Sequence, residues 1–522
     1  MLHLNLPEID KKREPPFADP ASCGRWISQF QLTDIRIAHG ALSEKLREMN
    51  RSPLSPLDRL KISEQLRDTV NIVQGGYAKK IVGKPLPFNE IESSVLNETL
   101  SLWAEMVVSY GHCMEAGVAG DAGVSRHLPL ISQRCLRYTA LQIIEYLFAQ
   151  HQVRPSLWLQ LHRLYFFSEG KGFSTLPVLE SLKLLPKPAS CAEHFIRAVL
   201  IAQADPYELS RMQFQVVNRW AEEWAPLVNI SRDIPATAKD TPPLTIDLVN
   251  SECVSPNASG PAVRYLDTAE LGKNLRIKIA LLRQGQAPSG LGLGDDVSVE
   301  FCLPLMEKLH QYWCEGKKPR GFEKRTISHE TELCFGLEAL HEKLGGRGII
   351  PEKGTLSARQ HEEIRLFGHV VTKEEEVFLE TEKWDIQDEN AAGYTLIRLS
   401  RGQRVSPGHL VGIHSGKSFI PCVIRWVIGG LDGSVNMGLR LIEGRPEPVA
   451  VRPTGVNAPS AKYGGAILLH LKERSSIVMP KGWYARYRIV EILDKDKLTM
   501  QFRLEELVGK GADYERATFT EL

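Results

Sequence analysis

The spacing of apolar residues changes once along this chain, near residue 328, and that change constrains the fold more than any single motif. Between residues 22 and 232 apolar side chains recur every three to four positions, the period of helices with one buried face. "NEIESSVLNETLSLWAEMVVSYGHCMEAG" sets Leu96, Leu100, Trp103 and Val107 on one face, and "RHLPLISQRCLRYTALQIIEYLFAQHQ" does the same with Leu130, Cys135, Tyr138 and Ile143. "AEHFIRAVLIAQADPYELSRMQFQVVNRWAEEWAPL" reads as a helix pair broken at "ADPYELS", where Pro206 and the acid before it suit the start of a new helix. From about 328 to 519 short β-rich runs take over, among them "HETELCFGL", "PCVIRWVIGG", "SVNMGLRLI" and "GAILLHLK". Gly, Pro and Asp punctuate them as in a small antiparallel barrel or sandwich.

The expected fold is therefore multidomain α+β: an N-terminal α-helical array of helix hairpins, then a C-terminal antiparallel β-barrel with a further small β unit. No strict repeat period is present, so the array is irregular. The expected boundaries are a helical domain at 1–235, a linker with a short strand ("LTIDLV") and helix at 236–300, a barrel at 301–455 and a β-rich extension at 456–522. The linker assignment rests on the Pro- and Ser-rich runs "SRDIPATAKDTPP" and "SECVSPNASGP". In "DVSVEFCLPLMEKLHQYWCEG" helical spacing returns, with Cys302, Leu305, Leu309 and Tyr312 on one face.

A chain of 522 residues allows two to four domains. Its net charge of +1 supplies no global field toward nucleic acid or an anionic membrane, so any anion site must be local. No apolar run reaches the ~20 residues of a membrane-spanning helix, and the N-terminal residues lack the pattern of a secretory signal. The nine cysteines are scattered and never spaced as CxxC, which fits reduced, buried thiols in a cytoplasmic protein.

Enzyme motifs are missing. "GIHSGKS" at 412–418 has Val411 where a phosphate loop needs Gly, and a strand follows, so it reads as a hairpin turn. "SGLGLGDD" at 289–296 follows a helix and lacks the strand–turn–helix setting of a dinucleotide fingerprint; Asp295 or Asp296 is read as the N-cap of the next helix. No nucleophile elbow and no clustered metal-ligand spacing occurs. The features left over are a basic cluster, "KKPRGFEKR" at 317–325, and an acidic turn, "DENAAG" at 388–393.

Read with "CVIRWVIGGLDGSVNMGLRLI", these two segments resemble the PilZ domain, the bacterial receptor module for cyclic di-GMP. That family carries a basic RxxxR segment before its first strand and a D/N-x-S-x-x-G turn later. Arg320 with Lys324 or Arg325 corresponds to the first, and Asp388, Asn390 and Gly393 to the second. Arg425 and Trp426 stand on the strand before the final "MGLRLI". The basic segment is one step out of register, Asn390 replaces the serine, and about sixty residues separate the two motifs, which implies an insertion at about 338–370.

The resemblance implies a cyclic di-GMP site made by Arg320, Lys324, Arg325, Asp388, Asn390, Gly393 and Arg425. It involves no metal, cofactor or catalytic residue. Arg suits guanine O6 and N7 and phosphates. Asp388 can accept from guanine N–H groups, and Asn390 can donate and accept. Gly393 permits a positive φ or a close backbone approach. Trp384 is read as barrel packing. The helical half would bind a protein partner of unknown identity, and no nucleic acid or membrane span is expected. Two other readings stay open: a degenerate PilZ-like adaptor that binds only protein, and an unrelated enzyme.

Overall fold

The computed structural model describes residues 4–179, 187–316, 325–346, 349, 381–399, 402–416, 418–454, 462–472, 474–494, 496 and 499–522. The chain divides into two units, Met1–Lys84 with Phe88–Pro319 and Pro85–Pro87 with Arg320–Leu522.

The first unit opens with helices α1 (Pro20–Gln29), α2 (Ile35–Asn50), α3 (Pro56–Ala78), α4 (Glu90–Val118), α5 (Leu128–Phe148), α6 (Pro155–Gly170), α7 (Cys191–Gln203) and α8 (Arg211–Trp224). Their starts follow from local chemistry. Ser55 caps α3 ahead of a proline at its first position. Asn89 and Glu92 form a reciprocal capping box on α4, as Ser190 and Glu193 do on α7. Of the faces read from the sequence, Leu96, Leu100, Trp103 and Val107 on α4 and Cys135, Tyr138 and Ile143 on α5 are buried, and Leu130 on α5 is half-buried. The break at "ADPYELS" is present, but Pro206 opens a short 3-10 turn instead of α8. α8 starts after Ser210, whose hydroxyl accepts from Gln213 N–H while the Gln213 side chain accepts from Ser210 N–H.

Strand β1 (Asn229–Ser231) falls at the end of the expected helical domain; the stretch expected as a linker carries strands β2 (Leu244–Asp247) and β3 (Val263–Asp267) and helix α9 (Ala269–Arg283), followed by α10 (Val299–His310). β3 pairs with both β1 and β2 in a small antiparallel sheet. Ile246, Leu266, Leu271, Leu275 and Cys302 join the same apolar core as α1–α8. The N-cap of α10 is Ser298, not Asp295 or Asp296. Asp296 instead pairs with Arg219 at 2.9 Å, and this guanidinium holds the Asp296 carboxyl below its usual range.

The second unit consists of two barrels. β4 (Arg325–Phe335), β5 (Glu382–Asn390), β6 (Gly393–Arg398), β7 (Leu410–Ser415), β8 (Ser418–Gly429) and β9 (Val435–Leu441) close in the order β4-β5-β6-β9-β8-β7. "GIHSGKS" is the β7–β8 hairpin, with Gly416 in the left-handed region. The further β unit is a second closed barrel: β10 (Arg445–Pro453), β11 (Gly464–His470), β12 (Ser476–Pro480), β13 (Ile489–Leu493), β14 (Thr499–Lys510) and β15 (Tyr514–Glu521), in the order β10-β11-β12-β15-β14-β13. Closure leaves neither sheet a free edge. A boundary at 455/456 falls after β10, whose ladder partners are β11 and β13.

After β4, helix α11 (Gly336–His341) runs into the stretch expected as an insertion at about 338–370; residues 347, 348 and 350–370 of that stretch lie outside the described residues. Leu337 and Leu340 of α11 join Leu410, Phe419, Val423 and Ile442 of the first barrel and Ile467, Leu469, Val478 and Tyr514 of the second in one apolar cluster. Burying side chains of this size contributes about 1.5–3 kcal/mol each, so the two barrels are packed as one body. Two hydrogen bonds tie the rim of this junction: Leu410 N–H to Asp513 Oδ1 at 3.0 Å and Ala512 N–H to the Gly408 carbonyl at 2.7 Å.

Candidate functional site

Strand β5 shows how the first barrel presents a carboxylate. Trp384, Ile386 and Asp388 occupy its buried row, with Lys383, Asp385 and Gln387 facing out. Trp384 is 1% exposed, and the Arg398 guanidinium stacks over its ring at 4.5 Å, so it packs the barrel as expected. Asp388 ends the row at 6% exposure and is held by interactions inside the protein.

At the end of β5 the chain reverses through Asn390-Ala391-Ala392-Gly393. The Asn390 side-chain oxygen accepts from Ala392 N–H at 2.8 Å and Gly393 N–H at 3.1 Å, an Asx turn that holds the hairpin closed. The oxygen is thus spent on the turn, and the amide NH2 is the group Asn390 has left to donate outward. Gly393 is needed for close approach and not for a positive φ. It sits opposite Arg440 in the β6–β9 ladder, and a Cβ there would fall on the Leu439 carbonyl oxygen.

Two β-bulges shape the site. On β5, Ile386 faces Leu396 while Asp388 faces Thr395, so two steps on one strand meet one on the other. On β8, Ile424 faces Leu439 while Trp426 faces Gly438, which makes Arg425 the extra residue. A bulge breaks the alternation and re-aims its side chain, and Arg425 is exposed between better-buried neighbours. Gly438 leaves room for the indole of Trp426: a Cβ at 438 would land on that ring.

These pieces meet. Asp388, Asn390, Gly393 and Arg425 line one cavity, together with Tyr394, Trp426, Leu439 and Arg440. Burial, helped by Cys422 and Glu389, pushes the Tyr394 hydroxyl up, so it remains a protonated donor. Two guanidiniums, one carboxylate, an amide, a phenol and an indole in one concavity suit a ligand that carries both negative charge and flat polar rings.

Other expected site residues stand elsewhere. Arg320 and Lys324 lie outside the described residues. Arg325 is exposed at the first position of β4, opposite Glu389, and does not line this cavity. Glu389 lines a neighbouring cavity with His329, Glu330, Ile413 and His414, and Tyr394 borders both. Sequence reading missed Arg440: nothing in "MGLRLI" signals that its arginine faces Gly393 until the β6–β9 register is known.

Among the described residues no group of three or more His, Cys, Asp or Glu could hold a metal ion, and no helix is long and apolar enough to cross a membrane. None of the nine cysteines is disulfide-bonded, and all are buried except the half-buried Cys253.

Comparison with known proteins adds a separate line. Two structures of MrkH align weakly: the apo form from K. pneumonia, 5% identical over 27% of this chain and 75% of its own with a TM-score of 0.12, and a MrkH described as a c-di-GMP-dependent transcription regulatory factor, 10% identical over 40% and 90% with a TM-score of 0.14. Overlaps at that score do not define a shared fold. Along most of its length the chain is similar to the cyclic-di-GMP receptor FimW of Pseudomonas aeruginosa, 20% identical over 500 residues that span 87% of this chain and 82% of that protein. Its helical part, residues 21–236, matches the family described as the N-terminal domain of the cyclic-di-GMP receptor FimW.

Proposed function

We propose that this protein is a non-enzymatic, cytoplasmic receptor for cyclic di-GMP, and that its first barrel is a PilZ-like sensor. The observation that carries this reading is the convergence of Asp388, Asn390, Gly393 and Arg425, brought from two separate hairpins, on one cavity. The similarity to a protein named as a cyclic-di-GMP receptor supports it from an independent direction. In this reading Arg425 meets phosphate or a guanine edge, the Asp388 carboxylate accepts from guanine N1–H and the 2-amino group, and the Asn390 amide donates. The basic segment with Arg320, Lys324 and Arg325 adds charge from the start of β4.

We further propose that the helical unit receives a protein partner. Two adjoining cavities support this: one between α2 and α4 and one among α4, α5 and α6, sharing Asn97 and Ser101. Leu100 and Leu157 are among the residues that line the second.

One observation favours a barrel that binds protein and no nucleotide. Asn390 commits to the turn the oxygen that would otherwise be open to a ligand. Calorimetric titration with the guanine and adenine cyclic dinucleotides separates the readings. The receptor reading expects saturable heat with the guanine compound and at least about tenfold weaker binding of the adenine one, which offers no N1–H to Asp388. Absence of binding to either would favour the adaptor.

A further inference from the structure

The stretch "PKGWYARYR", residues 480–488, joins β12 to β13 of the second barrel and lines no part of the cavity in the first. From Lys481 to Arg488 it holds three cations and three aromatic rings, and no acid occurs between Pro480 and Val490. The expectation of no nucleic acid came from a net charge of +1, which does not bear on a local cluster of this kind.

The barrel holds this loop in place. The buried Glu515 carboxylate accepts from Gly482 N–H at 3.0 Å and from Tyr484 N–H at 2.9 Å. The Tyr484 hydroxyl donates to the Glu505 carbonyl at 2.9 Å, and the Arg488 guanidinium to the Trp483 carbonyl at 2.7 Å. Trp483 lies over Gly464, where a Cβ would meet its ring at 3.1 Å, and both Trp483 and Tyr484 pack on the barrel core. Tyr487 is placed differently. Its φ of 66° is in the left-handed region, which a bulky residue rarely adopts. Two backbone bonds keep it there: Tyr487 N–H to the Leu504 carbonyl at 2.8 Å, and Leu504 N–H to the Arg488 carbonyl at 2.9 Å. The ring is 56% exposed, with the exposed Arg486 guanidinium over it at 5.0 Å. Backbone strain held at an exposed ring points to a residue kept for contact outside the barrel.

Ile489, exposed at the start of β13 opposite Arg503 of β14, continues this surface. The acids of these two strands are each paired: Glu491 with Arg452 at 2.7 Å, Glu505 with Arg503 at 2.9 Å and Glu506 with Arg474 at 2.9 Å. Lys481 and Arg488 meet backbone carbonyls, those of Ala512 and Trp483, which leave their charge uncompensated. One ring and one isoleucine are too little apolar surface for a stable protein interface. They match a single strand of nucleic acid, in which each base needs one stacking surface and each phosphate one cation.

We propose that this loop of the second barrel is a binding site for single-stranded nucleic acid, with Tyr487 as the platform for a base and Lys481, Arg486 and Arg488 as the phosphate contacts. Bases stacked and paired within a duplex offer no open face to Tyr487, so a duplex is bound more weakly. The site does not depend on what the first barrel binds.

The test uses the full chain without cyclic di-GMP and a fluorescein-labelled oligothymidylate of about 20 nucleotides, followed by anisotropy. Three phosphate contacts on a single strand give a slope of about −2 in log K against log salt, so raising salt from about 50 to about 200 mM should weaken binding roughly fifteen- to twentyfold. Arg486→Gln should make that slope shallower by about 0.7. Tyr487→Gly removes the ring and relieves the left-handed φ, so its thermal melt should be no lower than that of the wild type while binding falls about tenfold. Tyr487→Phe, which keeps the ring, should bind like the wild type. A wild type that does not bind the oligomer, or wild-type affinity in the Arg486→Gln, Tyr487→Gly double variant, would overturn the proposal. Equal affinity for the oligomer annealed to its complement would overturn the stacking role of Tyr487. Binding to vesicles of phosphatidylserine and phosphatidylcholine with none to the oligomer would assign the loop to an anionic membrane instead, and would overturn the proposal as well.

Discussion

Gly393→Ala is the sharpest perturbation of the site. The atoms an added methyl would meet are backbone: the Leu439 carbonyl oxygen and carbon and the Arg440 Cα at 3.2 Å. No rotamer change relieves a clash with a strand. β6 and β9 would have to part by about 1–2 Å to restore ordinary van der Waals contact. That movement stretches the ladder bonds on either side of Gly393–Arg440 beyond hydrogen-bonding range. Losing two or three such bonds at about 1 kcal/mol each gives roughly 2–3 kcal/mol. Native-state hydrogen exchange of peptides from β6 and β9 reads that quantity directly, because it reports the free energy of local opening. The same displacement moves Leu439 and Arg440 away from Asp388, so binding of cyclic di-GMP should fall at least about tenfold. Exchange within ~0.5 kcal/mol of the wild type, with binding unchanged, would refute both the β6–β9 register and the close-approach role of Gly393.

Other expectations follow from the same geometry. Asp388→Ala should weaken binding of the guanine dinucleotide by about 1.5–3 kcal/mol and narrow the preference over the adenine analogue, read by parallel titrations. Asn390→Ser should preserve both the turn and the affinity, because a serine hydroxyl can make the same backbone bonds more weakly; Asn390→Ala should loosen the turn by about 1–2 kcal/mol, read as faster exchange at Ala392 and Gly393. Burial lowers His162 to about 4, and burial with the nearby Arg59 charge lowers His112 to about 4, from an ordinary 6.5. Between those values the unfolded chain takes up protons that the native state refuses. Stability is therefore full above pH 6.5 and falls with decreasing pH, by up to about 1.4 kcal/mol per unit for each histidine. Thermal melts between pH 7 and 5 should show this slope, and His162→Gln should reduce it by one histidine's share; a flat profile would contradict the burial of both rings.

What could be read from the sequence was what depends on near neighbours. The helical faces of α4 and α5, the β7–β8 hairpin, the burial of Trp384 and the turn with Asp388, Asn390 and Gly393 are all encoded within spans of one element or one hairpin. Features set by pairing across the chain were not legible. Arg440 joins the cavity through a strand register, and Arg425 is turned outward by a bulge that no local pattern marks. The Pro- and Ser-rich runs after residue 232 look like a linker because turns between very short strands have the same composition, yet Ile246 and Leu266 bury themselves in the helical core. Asp295 and Asp296 looked like caps because cap chemistry is shared by Asp and Ser, and only position decided for Ser298. The second barrel was hard to delimit because β10 begins at Arg445, four residues after β9 ends at Leu441.

If the first barrel is the sensor, the ligand lies between the β5–β6 turn and the β8–β9 bulge. Hydrogen exchange of the full chain with and without saturating cyclic di-GMP locates it. Protection is expected in the peptides holding Asp388–Thr395, Arg425–Trp426 and Gly438–Arg440, and should be lost in Arg425→Ala at the same ligand concentration. Binding that leaves these three segments unchanged and protects another part of the molecule would contradict a site in this cavity.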